Sequence, residues 1–154
     1  MFNTNFTCCF TGHRDIDETV VRPGLESHIT KAIDQGYTDF ICGMALGLDM
    51  LAARIVLECR ENFPHIALEC AVPCETQAER WSESAQEEYM YLLECADKVE
   101  ILSKTYTPYC MWQRNQYMIK KSSLVIAYYD GREKGGTYYS VKYARSRGVD
   151  IWLV

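Results

Sequence analysis

A chain of 154 residues, 48% of them hydrophobic, is long enough to bury a normal core as one domain, residues 1–154, without disulfide staples. Its formal net charge of −5 weighs against a general nucleic-acid surface, which needs clustered Lys and Arg, and leaves a small anionic ligand held in a local positive field as the expected partner. Eight cysteines without a basic and then apolar leader read as reduced thiols of a cytoplasmic protein, and the absence of a run of roughly 20 apolar residues argues against a membrane span.

Taken in order, residues 5–10 predict a first strand, and residues 25–35 predict a helix with Leu25, Ile29, Ala32 and Ile33 on one stripe, closed by Gly36. Residues 39–42 predict strand two, and residues 48–62 a helix limited by Pro64. Residues 66–72 form strand three, residues 76–95 a long helix, and residues 98–102 strand four. A helix over 111–121, a strand over 124–129, a helix over 137–147 and a strand over 149–154 complete the chain. This alternation specifies an α/β fold, a three-layer Rossmann-like doubly wound arrangement around a mainly parallel sheet of about six strands.

In such a sheet the ligand lies beyond the carboxyl ends of the strands, near the point where strand order reverses. Thr11-Gly12-His13-Arg14 follows the first strand: Gly12 admits close backbone approach, His13 is a candidate proton carrier, and Arg14 can fork onto phosphate or carboxylate. A plain turn capping neighbouring carbonyls fits the same four residues. After strand two, Gly43, Ala45 and Gly47 leave backbone amides bare at a helix start, where dipole and N–H groups hold phosphate. Gly-x-Gly-x-x-Gly is absent, and Asp49 would repel a phosphate, so it reads as a helix cap or an acceptor for ribose hydroxyls. After strand five, Asp130 opens a loop in which Gly135, Gly136 and Thr137 offer amides and a hydroxyl, with Arg132 or Lys134 to neutralise an anion. Arg114 and Asn115 stand within reach of the same edge, although an ion-paired surface role suits Arg114 equally.

Trp81, Tyr89, Trp112 and Met118 recur at helical spacing and read as core. The cysteines form no Cys-x-x-Cys pair and read as small core hydrophobes, with Cys74 the one thiol worth testing. His28 and His65 lack partners at ligand spacing, so no metal site is assigned.

The chain resembles the YpsA-like branch of the SLOG superfamily, the Rossmann-like group that also includes the Lonely Guy phosphoribohydrolases and DprA. The resemblance is nearly end to end. It rests on Thr11-Gly12-His13-Arg14, Gly43-x-x-x-Gly47-x-Asp49, Val72-Pro73 with Gln77 and Trp81, Arg114-Asn115-x-x-Met118, and Tyr129-Asp130-Gly131 before Gly135-Gly136-Thr137. It implies a domain that binds or senses a nucleotide-derived ligand such as NAD, ADP-ribose or AMP, and it leaves self-association into a homo-oligomer open. The phosphoribohydrolase relatives carry Pro-Gly-Gly-x-Gly-Thr-x-x-Glu, whose glutamate assists N-glycosidic cleavage. Here Gly136-Thr137 matches, but Ser140 replaces the glutamate, so hydrolysis of a nucleotide is the second reading and would need Asp49, Asp130 or Glu133 instead. Single-stranded DNA binding, as in DprA, is disfavoured by the acidic balance.

Overall fold

Every strand pairing in the computed structural model, which describes residues 3–154, is parallel. The strands are β1 (Thr7–Gly12), β2 (Asp39–Cys42), β3 (Ala67–Val72), β4 (Lys98–Ile101), β5 (Leu124–Tyr128) and β6 (Asp150–Leu153), in the sheet order β4-β3-β2-β1-β5-β6. Parallel neighbours need long crossovers, and these are the helices α1 (Glu18–Asp34), α2 (Leu48–Asn62), α3 (Glu83–Cys95), α4 (Cys110–Lys120) and α5 (Gly136–Ser146). The expected three-layer α/β architecture is the one observed.

Strand alternation divides the core between the two faces. Cys8 and Phe10 of β1 pack with Leu25, Ile29, Leu51 and Leu92 of α1, α2 and α3, whereas Cys9 packs with Met118 and Ile119 of α4 and with Val141 and Ala144 of α5. Covered on both sides, β1 and β5 are buried along almost their whole length, β5 as an apolar run and β1 with Thr7 and Thr11 among its buried residues. The chain lays down β1 to β4 outward in one direction and then returns to place β5 on the opposite flank of β1. Strand order therefore reverses between β1 and β5, and the loops leaving these two strands part there.

Local chemistry moves several boundaries. β1 begins at Thr7 because the preceding Thr4–Phe6 forms a 3-10 turn capped by Asn3, and it runs on to Gly12, paired with Tyr128. α1 starts seven residues earlier than its periodicity suggests: Asp17 accepts from the Thr19 amide as N-cap, and Pro23 lies within the helix. Burial of Val21 and Leu25, about 1.5–3 kcal/mol each, offsets the roughly 3 kcal/mol proline penalty. α3 starts later, at Ser82, whose hydroxyl accepts from the Ala85 amide; residues 75–81 form successive three-residue turns instead. Among the described residues no helix is long and apolar enough to cross a membrane.

Candidate functional site

At the carboxyl edge of β1 and β5 a cavity of about 520 Å³ opens. Thr11, Gly12, His13 and Arg14 all line it. Gly12 has a packing reason for its size: a Cβ there would fall 2.3 Å from Cγ of Leu48, where α2 crosses β1. His13 is buried and joins the two halves of the switch point, since its carbonyl accepts from the Leu48 amide at 3.2 Å and its Nε2 accepts from the Asp130 amide at 3.2 Å. Arg14 is exposed at the rim and makes no ion pair among the described residues.

The loop after β2 is largely spent on the protein itself. Gly47, at φ 84°, seats against the loop after β1, and a Cβ would lie 2.5 Å from the Arg14 carbonyl oxygen. Gly43 clears room for a buried acid and base, because a Cβ would come 2.8 Å from Asp49 Oδ2 and 3.0 Å from the Arg114 guanidinium. The Ala45 amide donates to Asp49 Oδ2 at 3.3 Å, and the Leu48 amide is used on His13. Of this group Ala45 and Asp49 reach the cavity wall, while Gly43 and Gly47 stand behind it. Burial pushes the Asp49 carboxyl up from its ordinary range, opposed by the nearby Arg114 charge.

Arg114 turns inward from α4 and is only 4% exposed, which removes the surface-residue reading. Its Nη1 donates to the Gly43 carbonyl and its Nε to Asn115 Oδ1 at 2.8 Å, so it acts as a fixed positive charge in the wall. Desolvation pushes its pKa down while Asp49 opposes the change. Fixing the Asn115 oxygen in this way leaves its Nδ2 donors toward the cavity, near Gly136.

The loop after β5 is different, for the amides at its end, where α5 begins, are open. Gly135 has φ 91° and nothing within 4 Å of a Cβ position. The first amide of α5 to bond one turn back is that of Tyr139, to the Gly135 carbonyl at 3.3 Å, so the Gly136, Thr137 and Tyr138 amides precede any intrahelical acceptor. Gly135, Gly136 and Thr137 line the cavity beside Lys134, which makes no ion pair among the described residues. Asp130 does not line it. Its carboxylate grips Arg132 through several hydrogen bonds, which hold its pKa at about 2, and Arg132 also reaches Asp15 at 3.6 Å. Of the two cations offered by this loop, only Lys134 is uncommitted.

Phe10, Met111 and Met118 also contribute to the wall; Met118 belongs to the Arg114-Asn115-x-x-Met118 motif, whereas no sequence signal distinguished Phe10 and Met111 from ordinary core residues. Gln77, Trp81 and Cys74 line a neighbouring cavity of about 410 Å³. Trp81 and Tyr89 pack edge to face with centroids 5.2 Å apart, in keeping with a core role. Cys74 is buried. Among the described residues no group of three or more His, Cys, Asp or Glu side chains is arranged to hold a metal ion.

A family model, YpsA, described as the YspA SLOG family, matches residues 4–152. A UPF0398 protein of Halalkalibacterium halodurans is 29% identical over 137 residues, covering 88% of this chain and 71% of that protein. One from Bacillus cereus is 29% identical over 130 residues, covering 83% and 71%. Among solved structures, DNA processing protein A from Helicobacter pylori, described with a single-stranded DNA binding mode, superposes with a TM-score of 0.65 at 16% identity. The match covers 97% of this chain and 65% of the length of that one. That neighbour overturns the exclusion of nucleic acid drawn above from net charge. A protein of this fold engages single-stranded DNA, and a net charge of −5 sums the whole surface, whereas the field at one crevice is set by the few charges beside it, here Arg14, Arg114, Arg132 and Lys134 against Asp15 and Asp49.

Proposed function

This chain belongs to the YpsA SLOG family, and from that premise we propose that its crevice binds or senses a nucleotide-derived ligand of the ADP-ribose, NAD or nucleoside monophosphate type. The support is the set of unpartnered amides at the start of α5 set beside two uncommitted cations, Arg14 and Lys134. Backbone N–H groups at a helix start favour a phosphate by hydrogen bonding and by dipole together. Thr137 adds a hydroxyl, and Arg114 supplies fixed charge from behind. Asp49 would repel that phosphate and instead suits a ribose hydroxyl. A volume of about 520 Å³ is within the usual range for small-molecule sites.

One observation favours N-glycosidic hydrolysis as a second reading. Among the three carboxylates able to replace the missing glutamate, Asp49 lines the cavity, and burial biases it toward the protonated form that a general acid requires. Asp130 is committed to Arg132, and Glu133 is exposed.

A thermal-shift screen with AMP, ADP-ribose, NAD and a short DNA strand, followed by product analysis, tests both readings. A ligand at a hundred times its Kd stabilises by about 2.7 kcal/mol, which for this chain length raises the midpoint by about 5–10 °C. Binding without release of free base is the expected result; free base establishes the hydrolase. Gly136→Val abolishes the shift while leaving the ligand-free midpoint unchanged, since the nearest atom to its Cβ, Asn115 Nδ2, is 3.7 Å away. Undiminished affinity in that variant removes the α5 amides from the site.

A further inference from the structure

Beside the phosphate-facing crevice runs a second trough of about 480 Å³, and the two share Met111, Asn115 and Gly136. Its remaining walls are Pro108, Trp112 and Tyr139. None of these six residues is charged, in contrast to the Arg14, Arg114 and Lys134 of the adjoining crevice. Tyr139 is 53% exposed, and Trp112 is held edge-on by Tyr143 with ring centroids 5.5 Å apart. Two aromatic side chains from neighbouring helices thus flank an uncharged slot that opens directly onto an anion-binding edge. At the seam, Asn115 has its oxygen committed to Arg114, while Nδ2 finds no protein acceptor among the described residues.

We infer that this trough is the subsite for the base of the nucleotide, so that the ligand must carry an aromatic heterocycle joined through a sugar to its phosphate. The inference rests on the nucleotide reading of the crevice and assigns the base of that nucleotide its place. A wholly apolar occupant would leave the charged edge unanswered, and a sugar phosphate alone would leave the aromatic slot empty. A nucleotide answers both, with Trp112 and Tyr139 stacking on the ring and Asn115 Nδ2 donating to a ring nitrogen or a ribose hydroxyl. Free nucleotides and the end of a single strand share this chemistry.

The test is calorimetric titration of the full chain with AMP, ribose 5-phosphate and a short oligodeoxyadenylate, repeated on Tyr139→Ala. Tyr139 is largely solvated, so its removal spares the fold, which the thermal midpoint verifies. The expected result is that AMP binds about tenfold more tightly than ribose 5-phosphate, the usual size of one base–aromatic stack, and that Tyr139→Ala erases this advantage without altering ribose 5-phosphate. Tighter binding of the oligonucleotide, equally sensitive to Tyr139→Ala, supports the subsite and identifies a strand as its source. If ribose 5-phosphate binds as well as AMP, or Tyr139→Ala changes neither, the base subsite is overturned while the crevice reading survives. If no phosphate-bearing probe binds, both fall together.

Discussion

Asp49 shows how one residue's surroundings determine its contribution. It lies in the first turn of α2, only 6% exposed, with the Ala45 amide on one oxygen and Arg114 nearby. Burial raises its pKa, so the folded protein holds this proton more firmly than the unfolded chain does, and the cost of its charge is relieved as pH falls toward the ordinary carboxylate range. Losing a negative charge from the wall strengthens anion binding. Affinity for ADP-ribose, whose diphosphate keeps its charge over this range, therefore rises as pH is lowered from neutrality. In Asp49→Asn it is raised at neutral pH by about fivefold, or about 1 kcal/mol, the size of one screened charge pair, and its further rise on acidification is reduced. Titration calorimetry across pH on both proteins measures this; parallel curves would show that Asp49 does not face the ligand.

At the level of elements, starts were harder to place than existence. α2 and β2 fall where periodicity puts them, marked by an apolar stripe and by the apolar run Phe40-Ile41-Cys42. α3 does not, since residues 76–82 continue the helical spacing but are held by three-residue turns, and the helix waits for the Ser82 cap. Ser82→Ala is expected to cost about 1 kcal/mol, lowering the thermal midpoint by about 2–4 °C, whereas Thr76→Ala, outside the helix, leaves it unchanged. The reverse order in a thermal melt would return the helix start to Thr76. The same capping logic sets the start of α1 at Asp17, while burial of Val21 and Leu25 offsets the Pro23 penalty.

Across the whole molecule, the sheet takes four of the eight cysteines, Cys8, Cys9, Cys42 and Cys70, into the core. Six are buried, Cys59 and Cys95 are half-buried, and all eight are free thiols. Burial pushes the Cys9 and Cys70 thiols up to about 12 and raises Cys8 and Cys42 well above their ordinary value, so the reactive thiolate is suppressed. Titration of the native protein with a charged aromatic disulfide should modify Cys59 and Cys95 first and the rest only on unfolding. Rapid labelling of Cys74 would show that the 410 Å³ cavity beside it opens to solvent far more than its burial indicates.

Apolar runs of strand length alternating with helix-period stretches were sufficient, from sequence alone, to determine an α/β sheet of six strands and to place the candidate residues on the loops leaving β1, β2 and β5. Chain connectivity forces those loops to the same edge. What each loop does with its amides was settled only by the tertiary structure, because a glycine is written identically whether it clears space for a ligand or for the protein. Gly12, Gly43 and Gly47 turned out to accommodate Leu48, Asp49 with Arg114, and the backbone of Arg14, whereas Gly135 faces open space and Gly136 meets only Asn115 Nδ2, at 3.7 Å. The inward turn of Arg114 and the seam shared by the crevice and the aromatic trough likewise depend on how α4 and α5 pack side by side, a relation between segments that no local pattern encodes.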